Sequence, residues 1–507
     1  MNFLDLLHGA EILAQSGDPS VNGLEYDSRR VKPGTAFVAM RGETSDGNRY
    51  IDQAIAAGAV AIVTDSASEK QREGVAWAQV PHGRRALARL SANFYRHPAE
   101  RLAITGVTGT NGKSTTTFLI EAILAAAGRK SVLVGTIEYH VAGKVLPAPH
   151  TTPEALELNR MLAQAIGDGA TEGVMEVSSH ALAQRRVFGV PFDVAVFTNL
   201  TRDHLDFHHT MDEYFASKQA LFEGVGTEPP RAAVINGDDE YGQKLLKISK
   251  KRSSQVLSFG LSKGDLHADS VEITTRGTRF DLVTPDEKIP VFSPLIGKVN
   301  VYNVLAAAGA AYARNCRRDA ILKGIENLAR VPGRFERVHC NQPFTVVVDY
   351  AHTDDALRNL TALARDFVVQ AGLKGRVITI FGCGGDRDRA KRPLMGEAAG
   401  RGSDVVVLTS DNPRSEDPRA IMNDALVGLQ RSGVRYTMEV DRKKAIGDAI
   451  HEAHPGDIVL IAGKGHERVQ VGRDGPVPFD DVEVARDCLQ QAGYDCSAQL
   501  AAAGKAQ

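Results

Sequence analysis

Cysteine and tryptophan are scarce in this 507-residue sequence, which has five cysteines and one tryptophan. The cysteine number is odd and no pair has the spacing of metal ligands, so neither a disulfide framework nor a zinc site is predicted. No apolar run approaches the ~18–20 residues that span a bilayer, and the first residues lack the basic start of a signal peptide. We therefore expect a cytoplasmic protein.

An excess of charge of one sign is also lacking. Sixty Lys and Arg residues stand against 62 Asp and Glu residues, which gives a formal net charge of −2. The chain therefore has no overall positive field to hold nucleic acid, and any anionic ligand must be held by local groups. The 43% of hydrophobic residues exclude a disordered or fibrous chain, and the length favours about three domains.

Short β-branched runs alternate with polar turns and amphipathic stretches, which predicts an α/β fold with mostly parallel sheets. We expect three domains, at 1–98, 99–334 and 335–507. The third alternates most regularly and is typical of a small doubly wound domain. Its expected strands are 345–350, 377–381, 405–408 and 458–461. Between 227 and 284 the alternation indicates an antiparallel insertion or a mixed sheet edge.

A glycine-rich segment after a buried strand carries the clearest chemistry. Residues 106–114 read Gly-Val-Thr-Gly-Thr-Asn-Gly-Lys-Ser, and a helix is predicted to begin at Lys113. Glycines let backbone N–H groups converge on phosphate oxygens at the positive end of a helix. Lys113 can bridge the outer phosphates and Ser114 can ligate Mg²⁺. The leading glycine lies one residue earlier than in the general pattern, which has glycine where this chain has Val107.

This phosphate loop predicts a nucleoside triphosphate site. GTPases are disfavoured, because we find no Asn/Thr-Lys-x-Asp segment of the kind that reads guanine. Glu176 closes a second apolar strand, where its carboxylate could hold Mg²⁺ beside the loop. From the strand alone, a solvated acid at the strand end is the simpler interpretation.

The phosphate loop and ten further segments resemble the Mur ligases, the ATP-dependent amide-bond-forming enzymes of peptidoglycan precursor synthesis. The segments follow in the family's order: 25–29, 151–154, 175–182, 198–208, 300–303, 332–336, 348–352, 381–387, 410–414 and 462–467. The resemblance implies an N-terminal α/β uridine-binding domain and a central P-loop ATPase-like domain with a mostly parallel sheet. It implies a Rossmann-like doubly wound domain at the C-terminal end.

The resemblance also implies an activity. Meso-diaminopimelate would be added to the D-glutamate γ-carboxylate of UDP-N-acetylmuramoyl-L-alanyl-D-glutamate through an acyl phosphate, with ATP as co-substrate and Mg²⁺ as cofactor. A monomer without a nucleic-acid partner is expected.

Roles follow for the residues at matching positions. The catalytic residues would be Lys113, Glu176, His204 and Lys218, the last carbamylated by CO₂. The Mg²⁺ ligands would be Ser114, Glu176, His204 and Lys218. ATP would be bound by Gly109, Thr110, Asn111, Gly112, Lys113, Ser114, Thr115, Asn300, Asn303, Arg334 and Asp349. The UDP substrate would be bound by Asp27, Ser28, Glu43, Thr44, Ser45, Thr151, Thr152, Ser178, Gln184 and Arg186. Diaminopimelate would be bound by Arg387, Asp411, Asn412, Pro413, Arg414, Gly463 and Glu467.

Two of these assignments differ in how much the residues themselves support them. A capping box of Thr210 and Glu213 opens the predicted helix that carries Lys218, and sequence logic alone makes this lysine a solvated one. Arg414 can grip the distal carboxylate of diaminopimelate with two hydrogen bonds, whereas L-lysine lacks that carboxylate and would bring another cation. The sequence departs from the family at Asp354, which stands where proline is usual and puts the rigidity of that turn in doubt.

Other functions stay open at this point. The nearest are a lysine-adding version of the same enzyme and a ligase like folylpolyglutamate synthase, which shares the phosphate loop. A nucleotide-regulated binding module would belong to another class. A dinucleotide-binding oxidoreductase is disfavoured, because the third glycine of G-x-G-x-x-G would fall at Arg387.

Overall fold

The computed structural model describes residues 1–42, 45–370, 372 and 374–496, which fold around three α/β sheets. The first sheet has the strand order β1-β5-β4-β3-β2, and all its pairs are parallel except β1 with β5. Its helices and strands are α1 (Phe3–Leu6), β1 (Ala14–Ser16), β2 (Gly23–Glu25), β3 (Thr35–Ala39), α2 (Ile51–Ala56), β4 (Ala59–Thr64), β5 (Ala76–Gln79) and α3 (Gly83–Phe94).

The central sheet is the largest, with the order β16-β15-β14-β13-β12-β11-β6-β10-β7-β8-β9. Its strands are β6 (Ala103–Thr108), β7 (Ser131–Val134), β8 (Glu138–Val141), β9 (Lys144–Pro147), β10 (Glu172–Glu176), β11 (Phe192–Phe197), β12 (Ala232–Asn236), β13 (Gln255–Gly260), β14 (Leu266–Thr274), β15 (Gly277–Val283) and β16 (Lys288–Ser293). Its helices are α4 (Lys113–Ala126), α5 (Ala155–Gly167), α6 (Ser179–Ala183), α7 (Leu205–His208), α8 (Met211–Glu223), α9 (Glu240–Ser249), α10 (Lys298–Ala313) and α11 (Arg318–Asn327).

The middle of this sheet is parallel and covered on both faces. Successive side chains of a strand point to opposite faces, so Ile104 and Val107 of β6 belong to two different apolar cores. A parallel sheet that is buried on both sides needs such apolar strands.

Of the two alternatives for 227–284, the mixed sheet edge is confirmed. Strands β12 and β13 pair in parallel, whereas β14, β15 and β16 form the expected antiparallel edge. A second antiparallel edge, made by β7, β8 and β9, was not expected. Strand β12 is buried along its whole length, as expected inside a parallel sheet, whereas β15 has partly exposed positions, as expected near an antiparallel edge.

The third sheet has the order β17-β18-β22-β19-β20-β21 and is parallel except for β17. Its elements, with a separate hairpin of β23 and β24, are β17 (Glu336–Val338), β18 (Thr345–Asp349), α12 (Asp354–Gln370), β19 (Val377–Phe381), α13 (Lys391–Gly402), β20 (Val405–Thr409), α14 (Pro418–Ser432), β21 (Arg435–Glu439), α15 (Arg442–Glu452), β22 (Ile458–Ala462), β23 (Val469–Gly472), β24 (Gly475–Pro478) and α16 (Asp481–Gln491). The four strands expected here are confirmed to within one residue at each end.

Asp354, which replaces the family's proline, is the first residue of α12. Its carboxylate accepts a hydrogen bond of 2.6 Å from Arg358, one turn further on. Proline suits the first helical position because its missing N–H would be unpaired there anyway, and a carboxylate suits it because it faces the positive helix end. Asp354 is therefore compatible with the start of α12.

The cysteine prediction is wrong in one respect, since Cys340 and Cys496 form a disulfide. The two residues are 156 positions apart, and a bridge between such distant segments depends on tertiary contact, which cysteine spacing does not reveal. In the part of the chain that the structure describes, no helix combines the length and apolar character needed to cross a membrane.

A fully buried ion pair joins two helices of the third domain. Arg442 at the start of α15 donates hydrogen bonds of 2.8 and 2.7 Å to the two carboxylate oxygens of Asp481 in α16. Both side chains are 0% exposed. Arg442 also donates to the carbonyl oxygens of Ser410 and Ala462, at the carboxyl ends of β20 and β22. The pair therefore ties two site loops to the helices behind them.

We expect Asp481→Asn to lower the free energy of unfolding by about 3–5 kcal/mol, because it leaves the buried Arg442 charge without a partner. Urea unfolding followed by circular dichroism measures this. Asp448→Asn is the matched control on α15, since it removes an exposed ion pair with Lys444 and should leave the unfolding curve unchanged. Equal effects of the two substitutions would contradict a special role for the buried pair.

Candidate active site

A cavity of about 820 Å³ opens between the central and third sheets. It lies where the parallel strands of both sheets end, which is the usual ligand position in such sheets. The predicted site residues that line it are Thr110, Asn111, Gly112, Lys113, Ser114, Thr151, Thr152, Glu176, Ser178, Gln184, Arg186, His204, Arg334, Arg387, Asp411, Asn412, Arg414, Gly463 and Glu467.

The phosphate loop connects β6 to α4 and depends on two glycines. Gly109 has φ +149° and Gly112 has φ +86°, values that residues other than glycine rarely adopt. A Cβ atom at Gly109 would overlap Thr198, and one at Gly112 would overlap the Asn303 amide. Both positions therefore require glycine. The leading Gly106 instead lies within β6, where a Cβ atom would press on the Phe192 ring.

Two buried lysines meet at this loop. Lys113 and Lys218 donate hydrogen bonds of 3.0 and 2.8 Å to the same carbonyl oxygen, that of Gly109. Lys218 is only 1% exposed, so the expectation from the helix pattern alone, a solvated lysine, is wrong. Burial and the nearby Lys113 cation lower the pKa of Lys218 far below its ordinary value. Burial, and then the Arg334 cation, also lower the pKa of Lys113.

Glu176 ends β10 beside the phosphate loop and is 1% exposed. Its carboxylate accepts hydrogen bonds from the backbone N–H and the hydroxyl of Thr136, at 2.8 and 2.9 Å. Thr136 follows β7, which pairs with β10, so neighbouring parallel strands hold the carboxylate at the cavity wall. The simpler interpretation of a solvated acid is wrong.

His204 lies in a group of ionisable side chains after β11. Its imidazole is 3.3 Å from the carboxylate of Asp203, and burial and neighbouring cations lower its pKa to about 3. Burial alone would raise the pKa of Asp203, but His204, Lys391 and His352 hold it below its usual range. At neutral pH this group therefore presents a neutral imidazole and an ionised carboxylate.

Contacts across the cavity join the central and third domains. Arg334 donates a 3.1 Å hydrogen bond to the Ser114 hydroxyl of the phosphate loop. Asn111 donates to Asp355 of α12 at 2.9 Å. Asn111 is therefore held from the third domain, and Ser114 from the segment that joins the two domains.

The residues expected to bind the UDP substrate divide into two places. The group around Thr151, Thr152, Ser178, Gln184 and Arg186 lies together at the cavity. Thr152 donates to the Glu176 carbonyl oxygen at 2.8 Å, and Arg186 donates to the carbonyl oxygen of Thr152 at 2.8 Å.

Arg186 also forms a 2.9 Å ion pair with Glu154. The same carboxylate is 3.2 Å from Arg84 of the first domain. Arg186 is thus half-buried in a network of ion pairs and is not a free surface arginine.

The expected uridine-binding residues of the first domain lie outside this cavity. Asp27 pairs with Arg29 at 2.7 Å, the Ser28 hydroxyl donates to Gln53, and Ser45 accepts a backbone bond from Gly42. Glu43 and Thr44 lie outside the described residues.

Arg387 and Arg414 face each other at the third-domain wall. A Cβ atom at Gly384 would lie 3.0 Å from the Arg414 guanidinium and 3.8 Å from the Arg387 side chain. In the described chain neither forms an ion pair, and Arg414 donates instead to the Gly385 carbonyl oxygen at 2.7 Å. Burial, and then Arg387, lower the pKa of Arg414. This wall therefore favours a carboxylate ligand.

Arg414 has φ +53°, in the left-handed region, and its backbone N–H donates to Val471 of β23 at 2.9 Å. The preceding Pro413 lies so close to Gly385 that a Cβ atom there would overlap its carbonyl oxygen. The loops after β19 and β20 are thereby packed against each other, with the Arg414 side chain directed between them.

Asp411, Asn412 and Glu467 complete the third-domain wall. The Asn412 amide donates to the Glu467 carboxylate at 2.8 Å. Gly463 has φ +120°, and a Cβ atom there would lie 2.5 Å from the Asp411 carboxylate. Two carboxylates near the arginine pair give this wall both signs of charge, which suits an amino acid.

Several predicted residues lie beside the cavity instead of lining it. Asn303 packs against Gly112 and donates to Asn300 at 3.0 Å. Asp349 accepts backbone hydrogen bonds from Phe335 and Ala351. Those of the predicted set in the central and third domains that the cavity lining does not include are Gly109, Thr115, Lys218, Asn300, Asn303, Asp349 and Pro413.

Sequence reasoning also missed residues that line the cavity, among them Thr136, Asp203, His352, Lys391 and His466. Asp203, His352 and His466 lie inside segments that the family resemblance uses, so their motifs contained the signal. Thr136 and Lys391 belong to no such segment. Lys391 begins α13 and reaches to 3.5 Å from Asp203.

The predicted Mg²⁺ ligands can be compared with the ligands that Mg²⁺ usually takes in proteins. Within the described residues, no three His, Cys, Asp or Glu side chains come together in a way that could hold a metal ion. Mg²⁺ needs no such cage, because it keeps several waters and uses one or two carboxylates together with substrate phosphates. The hydroxyl of Ser114 and the carboxylate of Glu176, which line the same cavity, fit that pattern.

Known families match most of the chain. The Mur ligase middle domain matches residues 107–311, the glutamate ligase domain of Mur ligases matches 333–465, and the catalytic domain of the Mur ligase family matches 20–95.

Two curated relatives are named UDP-N-acetylmuramoyl-L-alanyl-D-glutamate--2,6-diaminopimelate ligase. The one from Solibacter usitatus is 53% identical over 94% of each chain. The one from Geobacter sulfurreducens is 45% identical over 96% of this chain and 98% of its own.

A solved structure of a ligase with the same name is 33% identical, with a TM-score of 0.67 over 97% of this chain and 99% of its own. The MurF ligase of Thermotoga maritima in complex with ADP shares the fold at 19% identity, with a TM-score of 0.63 over 93% of this chain and 97% of its own. By these matches, and by the three domains they span, the chain belongs to the Mur ligase family.

Proposed function

We propose that this protein is the ATP-dependent ligase that joins meso-diaminopimelate to the D-glutamate γ-carboxylate of UDP-N-acetylmuramoyl-L-alanyl-D-glutamate. The observation that carries the proposal is a single cavity onto which the phosphate loop and the Arg387–Arg414 pair both open. A triphosphate at one end and an amino acid with an extra carboxylate at the other would meet there. The relatives named for this reaction support the same conclusion.

The reaction would proceed by acyl activation. The γ-carboxylate of D-glutamate attacks the γ-phosphorus of ATP, which forms an acyl phosphate and releases ADP. The amine of diaminopimelate then attacks the acyl carbon, an amide forms, the amine loses a proton and phosphate leaves. Lys113 and the backbone N–H groups of the phosphate loop offset the charge of the transferred phosphoryl group, and positioning provides much of the remaining acceleration.

Mg²⁺ would be held by Ser114 and Glu176, with His204 and a carbamylated Lys218 as further ligands. When bound, it neutralises charge on the phosphate oxygens. The unusual member of this set is Lys218. A neutral amine adds to CO₂ and loses a proton to give a carbamate anion, and a strongly lowered pKa favours the neutral amine. Carbamylation would place an anion next to Lys113.

Selection of the amino acid would rest on the third-domain wall. Arg414 and Arg387 would bind the distal carboxylate of meso-diaminopimelate, and Asp411 and Glu467 would face its amino groups. L-Lysine has no distal carboxylate, so it would leave the two guanidinium groups without an anion. It would also bring another cation near them, and both effects disfavour it. Domain bounds at 98 and 334, a monomeric state and a cytoplasmic location are part of the same proposal.

Substitution of Lys113 by alanine should reduce ADP formation in the complete reaction by at least about 100-fold, because a positioned donor to the transferred phosphate is lost. A coupled assay with ATP, the UDP-muramoyl dipeptide and meso-diaminopimelate measures the rate. Lys244→Ala, an exposed helix lysine, is the control and should keep the wild-type rate. A Lys113→Ala enzyme near the wild-type rate would refute the role of the loop.

For Arg414→Ala we expect kcat/KM for meso-diaminopimelate to fall roughly 100-fold, since the distal carboxylate loses its half-buried partner. The much lower value for L-lysine should stay the same. Initial rates of ADP formation with each amino acid give both numbers, and Arg419→Ala, at an exposed position of α14, serves as control. A wild-type enzyme that preferred L-lysine would instead support the lysine-adding version.

The carbamate on Lys218 should appear as a carbonyl carbon signal in ¹³C NMR spectra of protein equilibrated with ¹³C-bicarbonate. The signal should weaken as the pH falls, because a protonated amine does not add to CO₂. Lys218→Ala should lack it and Lys244→Ala should keep it. If the two variants give the same spectrum, Lys218 is not the modified residue.

A further inference from the structure

Lys464 is a fully buried lysine just behind the third-domain wall. It follows β22, is 0% exposed and does not belong to the cavity lining. Its ammonium group donates three hydrogen bonds, at 3.1 Å to the Asn412 amide oxygen, 2.9 Å to the Glu467 carboxylate and 2.6 Å to the Val469 carbonyl oxygen. An ammonium has three donors, so all of them are used.

Each of the three acceptors belongs to a part of the amino-acid wall. Asn412 lies in the loop after β20, Glu467 follows β22, and Val469 begins the β23–β24 hairpin. The Asn412 oxygen also accepts from the Val471 N–H at 2.9 Å, while its nitrogen donates to Glu467. Lys464 therefore fixes which way the Asn412 amide faces and where the Glu467 carboxylate lies.

The hairpin in turn holds Arg414. The Arg414 N–H donates to the Val471 carbonyl oxygen at 2.9 Å, and Gln470 donates to the Ser410 hydroxyl and the Asp411 carbonyl oxygen at 3.0 and 2.6 Å. A shift of the hairpin away from Lys464 would therefore move the backbone of Arg414. The guanidinium would move with it.

We propose that Lys464 is a positioning residue that sets the amino-acid selectivity of the cavity, by tying the loop after β20 and the β23–β24 hairpin to Glu467. This inference rests on the proposed function, since it concerns the same amino-acid wall. Lys464 acts through Asn412, Glu467 and the hairpin and does not touch the amino acid itself.

A methionine at this position should be tolerated by the fold. Glu467, the ionic partner of Lys464, is 29% exposed and keeps its hydrogen bond from Asn412, so loss of the lysine does not leave a fully buried charge unpaired. Methionine has nearly the length of lysine and adapts to irregular surroundings. Lys464→Met should therefore fold, while the three hydrogen bonds that align the wall are lost.

For Lys464→Met we expect KM for meso-diaminopimelate to rise about 10- to 100-fold, the usual cost of a binding group displaced by about an ångström. The preference for meso-diaminopimelate over L-lysine should fall with it. The KM values for ATP and for the UDP-muramoyl dipeptide should change by less than about twofold, since those groups share no partner with Lys464. Lys443→Met, an exposed lysine of α15, is the matched control.

A second variant covers the case in which Lys464→Met does not bind ATP. Gln470→Ala removes a half-exposed side chain that holds the hairpin to the same loop, and should raise KM for meso-diaminopimelate about threefold or more, with ATP binding unchanged. An unchanged KM and an unchanged preference in the variant that folds would overturn the proposal. A wild-type enzyme without diaminopimelate-dependent ADP formation would instead reject the proposed function, before any variant is compared.

Discussion

Three buried or half-buried basic side chains surround the phosphate loop without a carboxylate partner. Lys113 and Lys218 share the Gly109 carbonyl oxygen, and Arg334 donates to the Ser114 hydroxyl. Within the described residues none of the three forms an ion pair, and a basic group out of contact with water carries its charge readily only beside an anion. The proposed nucleoside triphosphate would supply that anion. Its phosphates would bind to both domains together, because Arg334 lies at the boundary between the second and third domains and the two lysines belong to the second.

The parallel topology explains why the remaining groups are within reach. In the central sheet, β6 and β10 are neighbours, so the phosphate loop and Glu176 lie side by side. In the third sheet, the loops after β18, β19, β20 and β22 share one edge for the same reason. The two edges face one cavity, so the proposed amide bond would form where the two sheets meet.

How much of the fold and of the candidate site could be predicted from the sequence depends on whether the indicative residues lie within one short segment. The Thr210 cap was visible as a short motif, and its hydroxyl does accept the Glu213 N–H at 3.2 Å. The burial of Lys218 was not visible. Its helix has no clear apolar stripe, and the Gly109 carbonyl that it contacts lies 109 residues away in the sequence. The family resemblance, which carries information on distant contacts, implies a role for Lys218 in the site, and the structure places it against the phosphate loop.

The same distinction separates the other outcomes. Glu176 and Arg414 lie in motifs that the family resemblance uses, so the sequence already indicated these positions, and both line the cavity. Lys391 was missed because it begins an ordinary helix and reaches Asp203 only through domain packing. The disulfide of Cys340 with Cys496 was missed for a similar reason, since two distant segments meet there only in the folded chain.

At Arg414, the left-handed backbone favours glycine, whereas recognition of a carboxylate favours arginine. A residue other than glycine in that conformation costs roughly 1–2 kcal/mol, so glycine would make the fold more stable. Only arginine, however, provides the paired guanidinium donors that a carboxylate can recognise. Evolution toward greater heat resistance therefore has a substitution to glycine available here, but that substitution would remove the guanidinium on which the proposed choice between amino acids depends.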